Sequence, residues 1–212
     1  MVKTLVHKNI PYSHWEYLDC ESGDRLRVVP ERGGLITEWL CSGKEILYFD
    51  LDRFKLKDKS IRGGIPILFP ICGGLPQGLI KLSKGDFPIH QHGFARDICW
   101  KIKDIYDNKG FSLFCVDTEQ TRKSYPFNFF LEMKVKLDKG ALSIIIIVQN
   151  RSDEIMPFSF GLHPYFNILD LRNVEIKGLS DSCFNHINMA TTSTKEQLDC
   201  LDKGVDFLAN SE

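Results

Sequence analysis

The side chains best placed to do chemistry begin with one histidine. In Pro157-Phe158-Ser159-Phe160-Gly161-Leu162-His163, an extended chain points Phe158, Phe160 and Leu162 to one face and Ser159, Gly161 and His163 to the other. The second face is nearly bare except for the imidazole. Pro164 cannot donate a ladder hydrogen bond and drives the residue before it toward extended geometry, so the strand should end with His163 at its rim. An imidazole above small residues has room for a ligand, and an unperturbed pKa of ~6.5 suits proton transfer near neutrality. A histidine hydrogen-bonded to nearby backbone fits the same spacing, and both readings stand.

A second cluster is His90-Gln91-His92-Gly93-Phe94-Ala95-Arg96. Its imidazoles at i and i+2 share one side of an extended chain, the geometry of a metal pair in a cupin-like site. Such a site wants a carboxylate shortly after the second histidine, whereas this chain supplies Arg96. The other reading is a polar cluster for a neutral or anionic ligand. Gln91 would offer donor and acceptor, and Arg96 a planar fork for phosphate or carboxylate.

A third cluster, Arg62-Gly63-Gly64-Ile65-Pro66, precedes the apolar Ile67-Leu68-Phe69-Pro70 and Cys72-Gly73-Gly74. It matches neither a Walker A loop nor a dinucleotide fingerprint. Arg62 is either a second anion fork or a surface arginine. The sequence has no G-x-S-x-G elbow, no H-E-x-x-H and no basic-aromatic stripe, so hydrolase, zinc-peptidase and nucleic-acid readings lack their residues.

The elements that must position these residues read as strands. Leu131, Met133, Val135 and Leu137 alternate with Glu132, Lys134 and Lys136; Asp138-Lys139-Gly140 turns the chain into Leu142-Ser143-Ile144-Ile145-Ile146-Ile147-Val148. This predicts a hairpin of one strand with a wet face and one buried on both. Leu35 to Leu40 with Ile46 to Phe49, and Ile98 to Tyr106 with Phe111 to Val116, predict two more around their glycine turns. Ser193-Thr194-Lys195-Glu196 suggests a capped helix of a turn or two. Residues 62–78 and 87–93 are too rich in glycine and proline for regular strands, and irregular segments on a rigid sheet are where binding residues concentrate. Phe127, Phe129, Phe130, Phe158 and Phe160 are expected in the core, with Trp39 or Phe166 candidates for stacking on a sugar.

Composition sets the class. The 212 residues carry 27 Lys and Arg against 28 Asp and Glu, a formal charge of −1 with 43% apolar residues. That balance is ordinary for a globular protein and gives no electrostatic reason to expect nucleic acid or a membrane surface. Seven cysteines without a C-x-x-C pair read as reduced, mostly packing thiols. With no apolar segment near bilayer length and no secretory signal, the expectation is a cytoplasmic protein built as a single domain over 1–212.

Taken in order, Arg62-Gly63-Gly64-Ile65-Pro66, Gln91-His92-Gly93-Phe94-Ala95-Arg96 and Phe160-Gly161-Leu162-His163-Pro164-Tyr165-Phe166 resemble the galactose mutarotase-like superfamily. The nearest resemblance is to its aldose 1-epimerase and hexose-6-phosphate 1-epimerase family, and it extends from about residue 20 onward. It implies an all-β fold, a large antiparallel β-sandwich with a sugar site on a concave sheet. It also implies a reaction: α and β anomers of a hexose or hexose 6-phosphate interconverted by acid–base catalysis with ring opening. His163 would be the general acid, with His92 supporting it; Arg62, Gln91 and Arg96 would hold the sugar and its phosphate. Gly204-Val205-Asp206-Phe207 resembles the family's acidic stretch, which makes Asp206 a sugar contact. The family's general base is a glutamate in a later strand, and no match to it precedes Ser211-Glu212; a shortened relative would have an open sheet edge. A sugar-phosphate binder without turnover therefore stands beside the isomerase. No cofactor is implied, and the expected state is a monomer or weak dimer.

Overall fold

The computed structural model describes residues 3–56, 58–106, 110–138, 140–185, 189–199 and 207–209. Its first sheet is a meander of β1 (Lys3–Lys8), β2 (His14–Asp19), β3 (Arg25–Val29), β4 (Leu35–Cys41) and β5 (Lys44–Glu45), paired antiparallel in that order. Alternation decides the faces. Tyr17, Leu26, Val28 and Ile36 turn inward and are buried. On the other face Glu16, Arg27 and Glu38 fall in line across three strands.

That line is an ion ladder. Arg27 Nη1 reaches Glu38 Oε2 at 2.7 Å and its Nε reaches Glu16 Oε2 at 3.3 Å; Lys8 Nζ lies 2.5 Å from Glu16 Oε1. Glu16 is only 3% exposed. Burial alone pushes its carboxyl up, but hydrogen bonds from Lys8 and Arg27 overcome this and hold it below its ordinary 4.5.

Next along the chain come β6 (Ile67–Leu68) and a hairpin of β7 (Leu79–Leu82) with β8 (Gly85–Pro88). The hairpin extends into the stretch from Phe87 expected to be irregular. β9 (Lys101–Tyr106), β10 (Gly110–Val116), β11 (Phe129–Asp138) and β12 (Ala141–Asn150) form the second sheet, in the order β12-β11-β10-β9. Phe111, Leu113, Met133 and Val135 share one core with the inward face of the first sheet, Tyr17 and Phe111 lying 5.9 Å apart by ring centroids. This is the sandwich implied above.

Two of the predicted hairpins are present, β9 with β10 and β11 with β12, the latter with a reversal; in the third, β4 pairs with Lys44–Glu45 and not with Ile46 to Phe49. The alternating strand, β11, is the more buried, because β10 and β12 flank it on both sides. The isoleucine-rich β12, expected to be buried on both faces, is the edge of its sheet among the described residues, and Ile145 is 58% exposed. After β5 the chain from Ile46 to Phe49 continues through single bridges, Leu47 to Phe166 and Phe49 to Gly63, instead of a longer strand.

The aromatic middle also divides. Phe127, Phe129 and Phe130 are buried, whereas Phe158 is 49% exposed and Phe160 half-buried. The cysteines scatter: Cys115 and Cys183 are buried, but Cys20 and Cys99 are exposed.

Gly161–Leu162, strand β13, pairs antiparallel with β6. By contact pattern the chain forms two compact units, Met1–Asn167 and Ile168–Glu212. The second holds β14 (Ser182–Asn185), paired with β15 (Ala190–Ser193) and β16 (Phe207–Ala209). Its short helix Thr194–Leu198 is capped by Ser193, whose side chain accepts from Glu196 N–H, as the sequence predicts. Among the described residues no helix is long and apolar enough to cross a membrane.

Candidate functional site

The site rests on a short ladder that prolines keep from becoming a long strand. Ser159 N–H donates to Pro70 O (2.9 Å), His163 N–H to Pro66 O (3.0 Å) and Tyr165 N–H to Gly64 O (2.9 Å), on either side of the β6–β13 pair. Pro66 and Pro70 serve as acceptors only, so the absence of their N–H groups costs nothing here. Tyr48 N–H then takes the carbonyl of Tyr165, and Gly64 N–H that of Tyr48. The segment after Arg62 and the segment bearing His163 are thereby zipped together.

On this ladder Ser159, Gly161 and His163 do share a face. Ser159 Oγ accepts from Cys72 N–H at 2.9 Å, and a Cβ on Gly161 would stand 2.8 Å from Cys72 Sγ. A side chain at 161 would have to displace that sulfur. Burial pushes the Cys72 thiol up, with Ser159 pulling the other way, so this sulfur is no thiolate nucleophile near neutrality. His163 follows β13 directly, at the rim.

His92 comes to it from a turn. Gly93 N–H closes on His90 O at 2.9 Å, with His92 at φ 69° in the third position, where a type II turn demands positive φ. The chain therefore bends between the two imidazoles. His90 is exposed while His92 is 9% exposed, so they do not share one side of an extended chain as a metal pair requires. Among the described residues no three His, Cys, Asp or Glu side chains group as metal ligands.

The turn is clamped from beneath. Phe69 O accepts from Phe94 N–H and Ala95 N–H, and a Cβ on Gly93 would lie 2.2 Å from that same oxygen. Gly73 N–H donates to His92 Nδ1 at 3.0 Å while His92 N–H returns to Gly73 O at 2.8 Å. An Nδ1 that accepts leaves the ring proton on Nε2. The His92 and His163 rings meet edge to face, 6.1 Å between centroids and 81° between planes.

Tyr165 completes the group and was not singled out from sequence. It stacks on His163 at 5.0 Å and 26°, and its hydroxyl accepts from Arg62 Nη1 at 3.4 Å. Its signal was available: two residues beyond His163 in an extended chain is the same side. The other expected anion residues take a different position. Arg96 is tied into its own turn, donating to Gln91 O at 3.0 Å and lying 3.7 Å from Asp97 Oδ2. The side chains of Gln91 and Arg96 make no hydrogen bond or ring contact with His163. Asp206 lies outside the described residues. Trp39 packs against the core, leaving Phe166, which is exposed, as the aromatic open to a ligand.

The family profile of aldose 1-epimerase matches residues 20–206. A protein of Cenchrus ciliaris, provisionally named a glucose-6-phosphate 1-epimerase, is 32% identical over 160 residues, covering 69% of this chain and 45% of its own length. A similarly named protein of Salmonella typhimurium is 29% identical over 164 residues, covering 75% and 51%. The chain thus spans about half the length of the curated relatives it matches. Among solved structures, a Synechocystis protein superposes with a TM-score of 0.80 at 35% identity, over 87% of this chain and 64% of that one. A galactose mutarotase-like protein of Clostridium acetobutylicum shares the fold at 18% identity, with a TM-score of 0.69 over 93% and 67%.

Proposed function

The chain belongs to the aldose 1-epimerase family, and on that premise we propose that it acts on the anomeric centre of a hexose or hexose 6-phosphate. The observation that carries this reading is the meeting of His163 and His92, edge to face at 6.1 Å, beside the Arg62–Tyr165 pair. His163, as acid, gives a proton to the ring oxygen of the pyranose while a base removes the proton of the C1 hydroxyl. The bond from C1 to the ring oxygen breaks, C1 becomes an aldehyde, rotation about C1–C2 turns its other face, and closure returns both protons. His92, its Nδ1 accepting from Gly73 N–H, supports the acid without entering the proton count. Arg62 is the planar fork for a 6-phosphate.

A second reading is a sugar-phosphate binder without turnover, which needs only the Arg62–Tyr165 pair and the turn that carries His92.

Two-dimensional exchange NMR on glucose 6-phosphate separates the readings. Cross-peaks between anomers that vanish in His163→Ala support the isomerase. Line broadening without cross-peaks selects the binder, and equal exchange in wild type and variant removes His163 from the chemistry.

A further inference from the structure

We propose that Tyr165 has two separable roles, an inference that rests on the reading above: its ring sets the plane of the His163 imidazole, and its hydroxyl steadies Arg62 for a sugar phosphate. Tyr165 is thus a positioning residue for the acid and a specificity residue for the anion. Its backbone is fixed before its side chain acts. Tyr165 N–H donates to Gly64 O at 2.9 Å, and its carbonyl accepts from Tyr48 N–H at 2.9 Å. His163 N–H makes the neighbouring rung to Pro66 O, so the two side chains leave the ladder on one side. Their rings lie 5.0 Å apart with 26° between planes, within the range of an offset stack.

The His92 ring meets the same imidazole edge to face at 81°. A flat face and an edge, set nearly at right angles, restrict the plane of His163, and a general acid loses rate when its proton is aimed wrongly. Flatness is what this role needs, so a phenyl ring at position 165 should serve it as well as a phenol. The hydroxyl belongs to the second role. Arg62 is exposed and donates to it at 3.4 Å, committing one of the five N–H groups of the guanidinium and leaving the others to a ligand. A long arginine loses rotamer freedom when it grips an anion, and a hydroxyl that already limits its swing reduces that loss. Glucose carries no anion, so the hydroxyl should matter chiefly to the phosphorylated sugar.

Two variants of the full chain separate the roles. Tyr165→Phe removes the hydroxyl and keeps the ring; Tyr165→Leu removes both. The rung to Gly64 O uses only backbone, so both should fold, which circular dichroism checks. Proton NMR of the His163 ring, its signals identified by their loss in His163→Ala, needs neither sugar nor turnover. Those protons should lie upfield in wild type and in Tyr165→Phe, under the ring current of the stacked face, and move downfield in Tyr165→Leu. Titration should show Tyr165→Phe weakening glucose 6-phosphate ~3- to 10-fold more than glucose. In exchange NMR, Tyr165→Leu should lower kcat at least ~10-fold on both sugars, and Tyr165→Phe should recover it. His163 protons unmoved by Tyr165→Leu, or an unchanged kcat there, overturn the positioning role. Equal effects of Tyr165→Phe on the two sugars overturn the specificity role. A chain that shows the ring-proton and selectivity changes but never exchanges anomers supports both roles of Tyr165 and defeats the isomerase reading instead.

Discussion

The backbone amide of Gly73 donates to Nδ1 of His92 at 3.0 Å, and the amide of His92 donates back to the carbonyl of Gly73 at 2.8 Å. Because both ends are held, the ring can neither rotate nor exchange its nitrogens without losing a buried hydrogen bond. Nitrogen-15 NMR of the imidazoles should therefore show His92 as the Nε2–H tautomer, with Nδ1 unprotonated. A dominant Nδ1–H form would contradict the assignment.

Gly93 should tolerate no side chain. A Cβ would lie 2.2 Å from Phe69 O, and the residue sits at φ 70°. Gly93→Ala is expected to cost about 1–3 kcal/mol or more, read as a lower urea midpoint at unchanged slope. Gly23→Ala, at φ 75° with nothing within 4 Å of its Cβ, is the comparison that carries the backbone strain without the clash. Equal losses would mean that the Phe69 carbonyl yields.

The two arginines should fail differently. The Arg62 guanidinium is exposed and donates to the hydroxyl of Tyr165, so Arg62→Ala should weaken binding of glucose 6-phosphate by ~10- to 100-fold, the worth of a charge-assisted hydrogen bond, and leave glucose unaffected. Arg96 braces the turn that presents His92, so Arg96→Ala should weaken both sugars together. NMR titration of each variant with the two sugars gives the ratio. Identical selectivity in both variants would remove the phosphate role of Arg62.

Glu16 makes stability depend on acid. A carboxyl held below its ordinary 4.5 in the fold contributes stability that is present above that value and is lost as pH falls through the folded pKa. Glu16→Gln should be less stable than wild type by ~2 kcal/mol near neutrality, with the gap closing below pH 4.5. A gap constant down to pH 3 would show that the charge of Glu16 is not what the ladder holds.

Much of this was legible from the chain. Alternation gave two of the hairpins, because side chains on one sheet face recur every second residue whatever surrounds them. The pairing partners of a strand are not written in its own residues, which is why β11 and β12 exchanged places. Lys134 and Lys136 suggest a wet strand, but β10 and β12 cover both of its edges; the isoleucines suggest a buried one that is, among the described residues, an edge. His163 at the rim followed from Pro164. The tautomer of His92 depends on a glycine amide 19 positions away, and the exposure of Phe158 depends on where the short ladder ends, so neither had a local signal.

The ladder joining residues 64–70 to 159–165 acts as a ruler. Arg62 and Tyr165, 103 positions apart in the chain, keep their spacing because each lies a fixed number of rungs from the β6–β13 pair. Strands slide only in whole residues of ~3.3 Å, and a slip of one turns every side chain to the opposite face. Adding or removing a residue between Gly64 and Leu68 would move the arginine by a full notch and turn it away from the tyrosine. The distance between Arg62 and His163 is thus set in discrete steps, and fine adjustment is left to the side chains.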